Sequence, residues 1–238
     1  TVRTTYGGHS VALTSIENLQ FLLNSFHDVF ILNASALALG STASIDGGWG
    51  NDRIEVDFSA LASLSFVVAA NGSVTVNVPL TLANFENYRV TGGAGNDNIV
   101  TGGGMDTLVG GGGDDLLDGG TSQDMMTGGA GNDIYYIDNY FDWASENAGE
   151  GSDEVRTTMA AFSLFEMPHV ENLTGLSATG HTLTGNAAAN IITGGDGNDV
   201  LTGAGGGDAL WGGAGNDTFN GGGGPTAFPT GDDYVNGG

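Results

Sequence analysis

Between Gly92 and Tyr136 the chain repeats itself every nine residues: GGAGNDNIV, TGGGMDTLV, GGGGDDLLD, GGTSQDMMT and GGAGNDIYY follow one another without insertion. Asp97, Asp106, Asp115, Asp124 and Asp133 fall at the sixth place of each copy, and Ile99, Leu108, Leu117, Met126 and Tyr135 at the eighth. A unit this short cannot bury its apolar side alone, so copies have to stack. The glycine-rich first half tolerates the positive φ of tight turns, and the second half has the form of a very short strand. If each copy makes half a turn of a flattened spiral, two complete a coil, and copies i and i+2 stack at the β spacing of about 4.8 Å. The expected fold is all-β, a parallel β-roll or β-solenoid. Asp97, Asp115 and Asp133 then share one edge, and Asp106 and Asp124 the other.

Carboxylates stacked at that spacing repel by roughly 3 kcal/mol per pair at an effective dielectric of about 20. One buried aliphatic per copy contributes about 1.5 to 3 kcal/mol, whereas each ordered residue costs about 1 to 2 kcal/mol. A bare stack is therefore unfavourable. A divalent, oxygen-seeking cation between successive turns reverses the sign, because carboxylates and turn carbonyls together supply the roughly 6 to 8 oxygens that Ca²⁺ prefers. Folding and calcium binding are expected to be one event.

The pattern G-G-x-G-x-D-x-U-x, with U a large apolar residue, resembles the repeats-in-toxin (RTX) family and its calcium β-roll. The resemblance implies the ligand set. Carbonyls at places 1 and 3 with the Asp hold one ion, and those at places 2 and 4 with the Asp hold the next. In the first copy these are Gly92, Ala94, Gly93, Gly95 and Asp97, and in the last Gly128, Ala130, Gly129, Gly131 and Asp133. Two copies depart from the pattern. Ser122 stands where a left-handed glycine is expected, which implies a weaker site at Gly119 to Asp124; Thr101 replaces the first glycine of its copy, which matters less if only its carbonyl is used.

Charge narrows the partners. The formal net charge is −24, from 28 acids against four arginines, with no lysine. Such a surface repels nucleic acid and anionic membranes. The absence of cysteine excludes disulfides and thiolate metal sites. No apolar run approaches the ~20 residues that would span a membrane. High acidity with 44 glycines ordinarily suggests disorder. Here the acids keep a fixed phase, so the expectation is disorder without calcium and order with it.

Along the chain, residues 1–91 read as a β-rich, motif-poor stretch with one calcium-type turn at 47–55 (GGWGNDRIE), where Asp52 is a candidate ligand. Within this stretch the apolar run Leu19 to Leu23 is compatible with strand or helix. NSFHDVFIL places Asp28 at the acid position of a decayed repeat, but without glycine it reads as a metal-free coil. Strand-like alternation continues through VDFSALASLSFVV and GSVTVNVPLTL, joined at Asn71-Gly72. Residues 92–136 are the first nonapeptide block and 137–184 are bridging β coils. Residues 185–238 are a second block, with an insertion at 223–230. There Asn190 occupies the acid place of its copy as a weaker ligand, while Asp199, Asp208, Asp217 and, after the insertion, Asp233 are candidate calcium ligands. VRTTYGGHSVALTSIENL near the start recurs as VRTTMAAFSLFEMPHVENL from Val155, with a partial echo in FENY at Phe85; Glu17, Glu86 and Glu171 read as turn residues.

Catalytic signatures are missing. There is no H-E-x-x-H, no G-x-S-x-G elbow, and no phosphate loop is possible without lysine. Paired acids such as Asp114 with Asp115, or Asp232 with Asp233, read as one ligand and one solvated neighbour. The third repeat place carries no threonine ladder of the kind ice-binding members use. The chain is therefore expected not to be an enzyme. The resemblance implies a secreted bacterial protein, exported by a type I system and folding on extracellular calcium. Its role is expected to be a structural surface, adhesin or filament module, with self-association or neighbouring repeats as partners. Two alternatives remain: the folding and export module of an enzyme whose catalytic part lies elsewhere, and carbohydrate binding on the sheet face.

Overall fold

The short-strand pattern builds coils, and the coils stack into solenoids. The computed structural model of the chain describes residues 2–6, 9–13, 16–22, 27–33, 37–69, 72–78, 80–222 and 234–236. The insertion at 223–230 and Asp233 lie outside these. No α-helix occurs among the described residues, and Ile16–Leu22 is a strand, which resolves the ambiguous run in favour of β. The chain divides into two compact units, Thr1–Ala130 with Phe141–Trp143, and Gly131–Tyr140 with Ala144–Gly238. The division falls inside the fifth nonapeptide copy.

In the first unit one sheet runs in the order His9–Leu13, Val2–Tyr6, Val29–Asn33, Arg53–Asp57, Asn87–Thr91, Thr107–Gly112, Met125–Ala130. From Val29 onward every pairing is parallel. A second face carries Val74–Val76, Ser65–Val68, Asn98–Val100 and Leu116–Asp118, and a third carries Ile16–Leu22, Leu37–Asp46 and Leu80–Ala83. Val74–Val76 pairs antiparallel with Ser65–Val68, the hairpin expected around Gly72. Side chains alternate in and out along each strand, so each coil drops one apolar residue onto the one below. Leu32, Val56, Val90, Leu108 and Met126 form one such column, and Phe66, Ile99 and Leu117 another; all are buried.

The second unit repeats the construction. One sheet stacks Ile134–Ile137, Glu154–Thr157, Asn172–Gly175, Ile191–Asp196, Ala209–Ala214 and Tyr234–Asn236 in parallel. The opposite face stacks Ala161–Ser163, Thr182–Thr184, Val200–Thr202 and Thr218–Asn220. Tyr135, Val155, Leu173, Ile192 and Leu210 form its buried column. The VRTT recurrence does not give the same pairing twice. Val155 lies in a parallel rung, whereas Val2–Tyr6 pairs antiparallel with both His9–Leu13 and Val29–Asn33. Two residues separate Val2–Tyr6 from His9–Leu13, and so short a link permits only antiparallel pairing.

Candidate metal centres

Stacking the coils aligns their acidic places into ladders. Asp97 N–H donates to Asp115 Oδ1 at 2.7 Å, across 18 residues. On the other edge, Tyr88 N–H donates to Asp106 Oδ1 at 2.7 Å, Asp106 N–H to Asp124 Oδ1 at 2.8 Å, and Asp124 N–H to Asp142 Oδ1 at 3.0 Å. Each carboxylate therefore uses one oxygen to hold the backbone of the coil before it. The expected separation of Asp97 and Asp115 from Asp106 and Asp124 is present in the first unit. In the second unit His181 N–H donates to Asp199 Oδ1 (2.6 Å), Asp199 N–H to Asp217 Oδ1 (3.0 Å), and Asn190 N–H to Asp208 Oδ1 (2.9 Å).

The other oxygen is the chemically informative one. Oδ2 of Asp28, Asp52, Asp106, Asp199 and Asp217 is shut away from solvent with no hydrogen-bond partner. A buried anionic oxygen left in that state is strongly unfavourable unless a cation meets it. Oδ2 also lies back over the turn's first residue. A Cβ built on Gly92, Gly110, Gly203 or Gly212 would sit 2.1 Å from Oδ2 of Asp97, Asp115, Asp208 or Asp217 respectively. Glycine at the first place is thus a requirement of carboxylate position; the positive φ falls at the second and fourth places instead, as at Gly111 and Gly113. At Thr101 the exception is accommodated by the side chain itself, which is buried and donates from Oγ1 to Gly119 O at 3.1 Å. Ser122 holds φ at 100°, the left-handed conformation expected of the glycine it replaces.

Gly92 and Gly93 are buried, Gly95 is half-buried and Ala94 is exposed; Gly93 O accepts Gly112 N–H at 3.0 Å. A carbonyl has two lone pairs, so this bond leaves capacity for a metal. Gly128, Gly129 and Ala130 belong to the first unit and Gly131 and Asp133 to the second. Ala130 O accepts Gly113 N–H at 2.7 Å, and Gly131 N–H donates to Glu150 O at 2.8 Å.

Burial acts on the acids in one direction. It pushes Asp106 up to about 6, against the neighbouring Thr101 hydroxyl and the Tyr88 N–H, which pull down. Asp97 is also raised by burial, with the Gly93 and Leu64 N–H groups opposing. In the second unit oxygens of Asp133, Glu146 and Asp153 all lie within 4.8 Å of one another. Burial, then repulsion from Asp153, Asp133 and Glu150, drives Glu146 up to about 7, although Tyr135 OH donates to it. Asp153 is pushed up to about 6, again mainly by burial. Three acids this close are the counterpart of a hard cation with oxygen ligands.

Several members of these ladders are not legible as repeats. Asp142 stands one coil beyond Asp124, in NYFDWAS, where glycine is absent. Glu86 Oε2 accepts Asp52 N–H at 2.7 Å and Glu171 Oε2 accepts Asp153 N–H at 2.9 Å, so the residues read as turn glutamates occupy the acid place of their coils. The echo between FENY and VENL is the signal that marks them. His181 also fills an acid place, neutrally: Nε2 accepts Ser177 N–H (2.8 Å) and Nδ1 faces Met159 O (2.7 Å). The fifth-place asparagines form a second ladder, in which Asn96 Oδ1 accepts Asp114 N–H and Asn198 Oδ1 accepts Asn216 N–H. No catalytic constellation accompanies these columns among the described residues. A cleft of about 470 Å³ in the first unit is lined by Val68, Phe85, Tyr88, Thr101 and small residues, with no acid, histidine or serine.

The RTX calcium-binding nonapeptide repeat model matches residues 44–58, 89–108, 100–135, 182–210 and 203–225. These segments contain the glycine arcs and most of the acid ladders described above, and the chain carries RTX calcium-binding repeats on a parallel β-solenoid fold. The repeats are structural rather than catalytic. No curated protein matches the chain.

Proposed function

We propose that this chain is a calcium-rigidified structural module of a secreted protein, folding when it meets extracellular calcium and serving as a surface, adhesin or filament segment. The observation that carries the reading is the set of buried Oδ2 atoms on Asp106, Asp199 and Asp217 without a hydrogen-bond partner, each on a coil edge. The proposed ligands are these oxygens with Asp97, Asp115, Asp124, Asp133 and Asp208, together with the carbonyls of the glycine arcs. Asp52, at the single repeat, belongs to the same set. Weak sites of this kind saturate at the millimolar calcium found outside cells and stay empty in the cytosol. That difference would keep the chain unfolded during export.

The competing role is a folding and export module for an enzymatic domain elsewhere in a longer protein. Sedimentation velocity of the purified chain, with and without calcium, separates the two. Calcium-dependent growth into larger species supports the structural surface role. A chain that compacts with calcium yet stays monomeric at all concentrations supports the export role.

A further inference from the structure

We infer that the first unit pairs with a second copy of this chain, in calcium, through an apolar face on the outside of three successive coils. The inference rests on the calcium reading of the repeat turns and names a partner surface for the structural role. The fifth place of a repeat, immediately before the acid, is asparagine at Asn51, Asn96, Asn132, Asn198 and Asn216. At Met105 and Phe141 a large apolar residue stands before the acid instead, 66% and 64% exposed, next to Asp106 and Asp142 of the Asp106, Asp124, Asp142 ladder. A second outward column runs along the other side of that ladder. Arg89 pairs with Thr107, and Thr107 with Met125. Trp143 N–H then donates to Asp124 O as Met125 N–H donates to Asp106 O, both at 2.9 Å, so Trp143 stands on Met125 as Met125 stands on Thr107. Met125 is 56% exposed and Trp143 40%. All of these residues belong to the first unit.

Neither the core nor the calcium turns call for these side chains. The strand alternation that turns the acids inward turns Met105, Met125, Phe141 and Trp143 outward, where asparagine or threonine would serve the coil as well. Taking roughly 200 Å² for a large side chain, their exposed fractions leave on the order of 450 Å² of apolar surface per copy. A patch of that order on a soluble chain is commonly where something binds. Methionine, phenylalanine, tryptophan and arginine are also the residues that interfaces favour.

The occupant follows from the order of residues along the column. Arg53 and Arg156 are ion-paired, whereas Arg89 is exposed and has no ion pair among the described residues. Arg89, Thr107, Met125 and Trp143 thus run from a free cation to a tryptophan, and such a column is complementary to itself. A two-fold axis along the strand direction, between Thr107 and Met125, sets each Arg89 over Trp143 of the other copy and each Thr107 against its Met125. This is the isologous arrangement, in which residue i meets j and j meets i. Tryptophan is the best ring for a guanidinium to cover. The doubled apolar area, about 900 Å², lies at the low end of specific interfaces, so the pair is reversible and concentration-dependent. Calcium acts twice. It holds Asp106 and Asp124 in register, without which the columns beside that ladder do not form, and it offsets the charge of −24 that keeps two copies apart.

Sedimentation velocity of the full chain over a concentration series, in calcium and in chelator, tests the pairing. A monomer–dimer equilibrium in calcium alone is expected. Met125→Glu and Arg89→Glu, both at exposed places, should each weaken the dimer by about tenfold or more, as loss of an anchoring residue does. Their calcium-induced far-UV transition should match that of the parent. Association indifferent to both substitutions overturns this face and leaves the structural role standing. A parent chain that passes through the far-UV transition yet stays monomeric overturns the pairing and favours the export role. Flotation of that monomer with phosphatidylcholine vesicles, in calcium only, would give the face to a membrane and likewise overturn the pairing. A parent chain with no far-UV transition overturns the repeat-turn reading and this inference with it.

Discussion

Two glycines two residues apart in the third repeat copy should respond to alanine with opposite signs. At Gly110 a Cβ would lie 2.1 Å from Asp115 Oδ2, 2.7 Å from its Cγ and 2.9 Å from its Cβ. The whole carboxylate arm is in the way, so Gly110→Ala must push Asp115 out of its column. The displaced side chain loses its bond to Asp97 N–H (2.7 Å), a charged hydrogen bond whose removal costs about 1.5 to 3 kcal/mol. It also loses its position for calcium. At Gly112 the nearest atoms to an added Cβ are Ala130 O at 3.7 Å and Ala94 Cα at 3.9 Å, which is ordinary contact. Gly112→Ala therefore leaves the fold undisturbed and narrows the unfolded ensemble, for a gain of about 0.4 to 1 kcal/mol. The assay is the calcium midpoint of the far-UV circular dichroism transition. Gly110→Ala should raise it and Gly112→Ala should lower it slightly. Equal tolerance at both positions would refute the claim that the carboxylate, folded back over the first place, dictates glycine there.

Ser122→Gly removes a left-handed conformation that costs a β-carbon-bearing residue about 1 to 2 kcal/mol, partly offset by glycine's greater freedom when unfolded; its side chain is exposed. The calcium midpoint should fall, and an unchanged or higher midpoint would mean that the serine makes a useful contact. Leu117→Ala empties a fully buried position, with an expected loss of about 2 to 5 kcal/mol, read as a higher calcium requirement. For the calcium-free chain, burial raises Asp106 and Asp153 to about 6 and Glu146 to about 7. The folded state then holds protons more tightly than the unfolded one. Stability should be greatest below the ordinary carboxylate range and be lost as pH rises through 6 to 7. Far-UV circular dichroism in chelator at pH 5 and pH 7 checks the sign: residual β signal is expected to be larger at pH 5, and a larger signal at pH 7 would contradict it.

The period of nine made the solenoid, the alternation of acid edges and the core residues of the blocks legible, because each copy spells out the same turn and strand. Ser122 was readable for the same reason: a fixed place demands a left-handed residue. Coils that reach the same column with a different arc length are not readable that way. Asp28, Glu86 and Asp153 align at separations of 24, 34 and 20 residues; Glu171 keeps the regular separation of 18 from Asp153, but its coil lacks the glycines and carries glutamate in place of aspartate. Glu146 joins Asp133 and Asp153 without sharing their place in the coil. Its membership depends on how the loop folds, which no local pattern encodes.

The central claim is that calcium compensates the stacked acids and that folding waits for it. Far-UV circular dichroism during a calcium titration of the metal-free chain, with magnesium as the control, tests it most directly. A cooperative coil-to-β transition with calcium and none with magnesium is the predicted result. A chain already fully β in chelator, and unmoved by calcium, would show that the aspartate ladders are self-sufficient turns and would contradict the account.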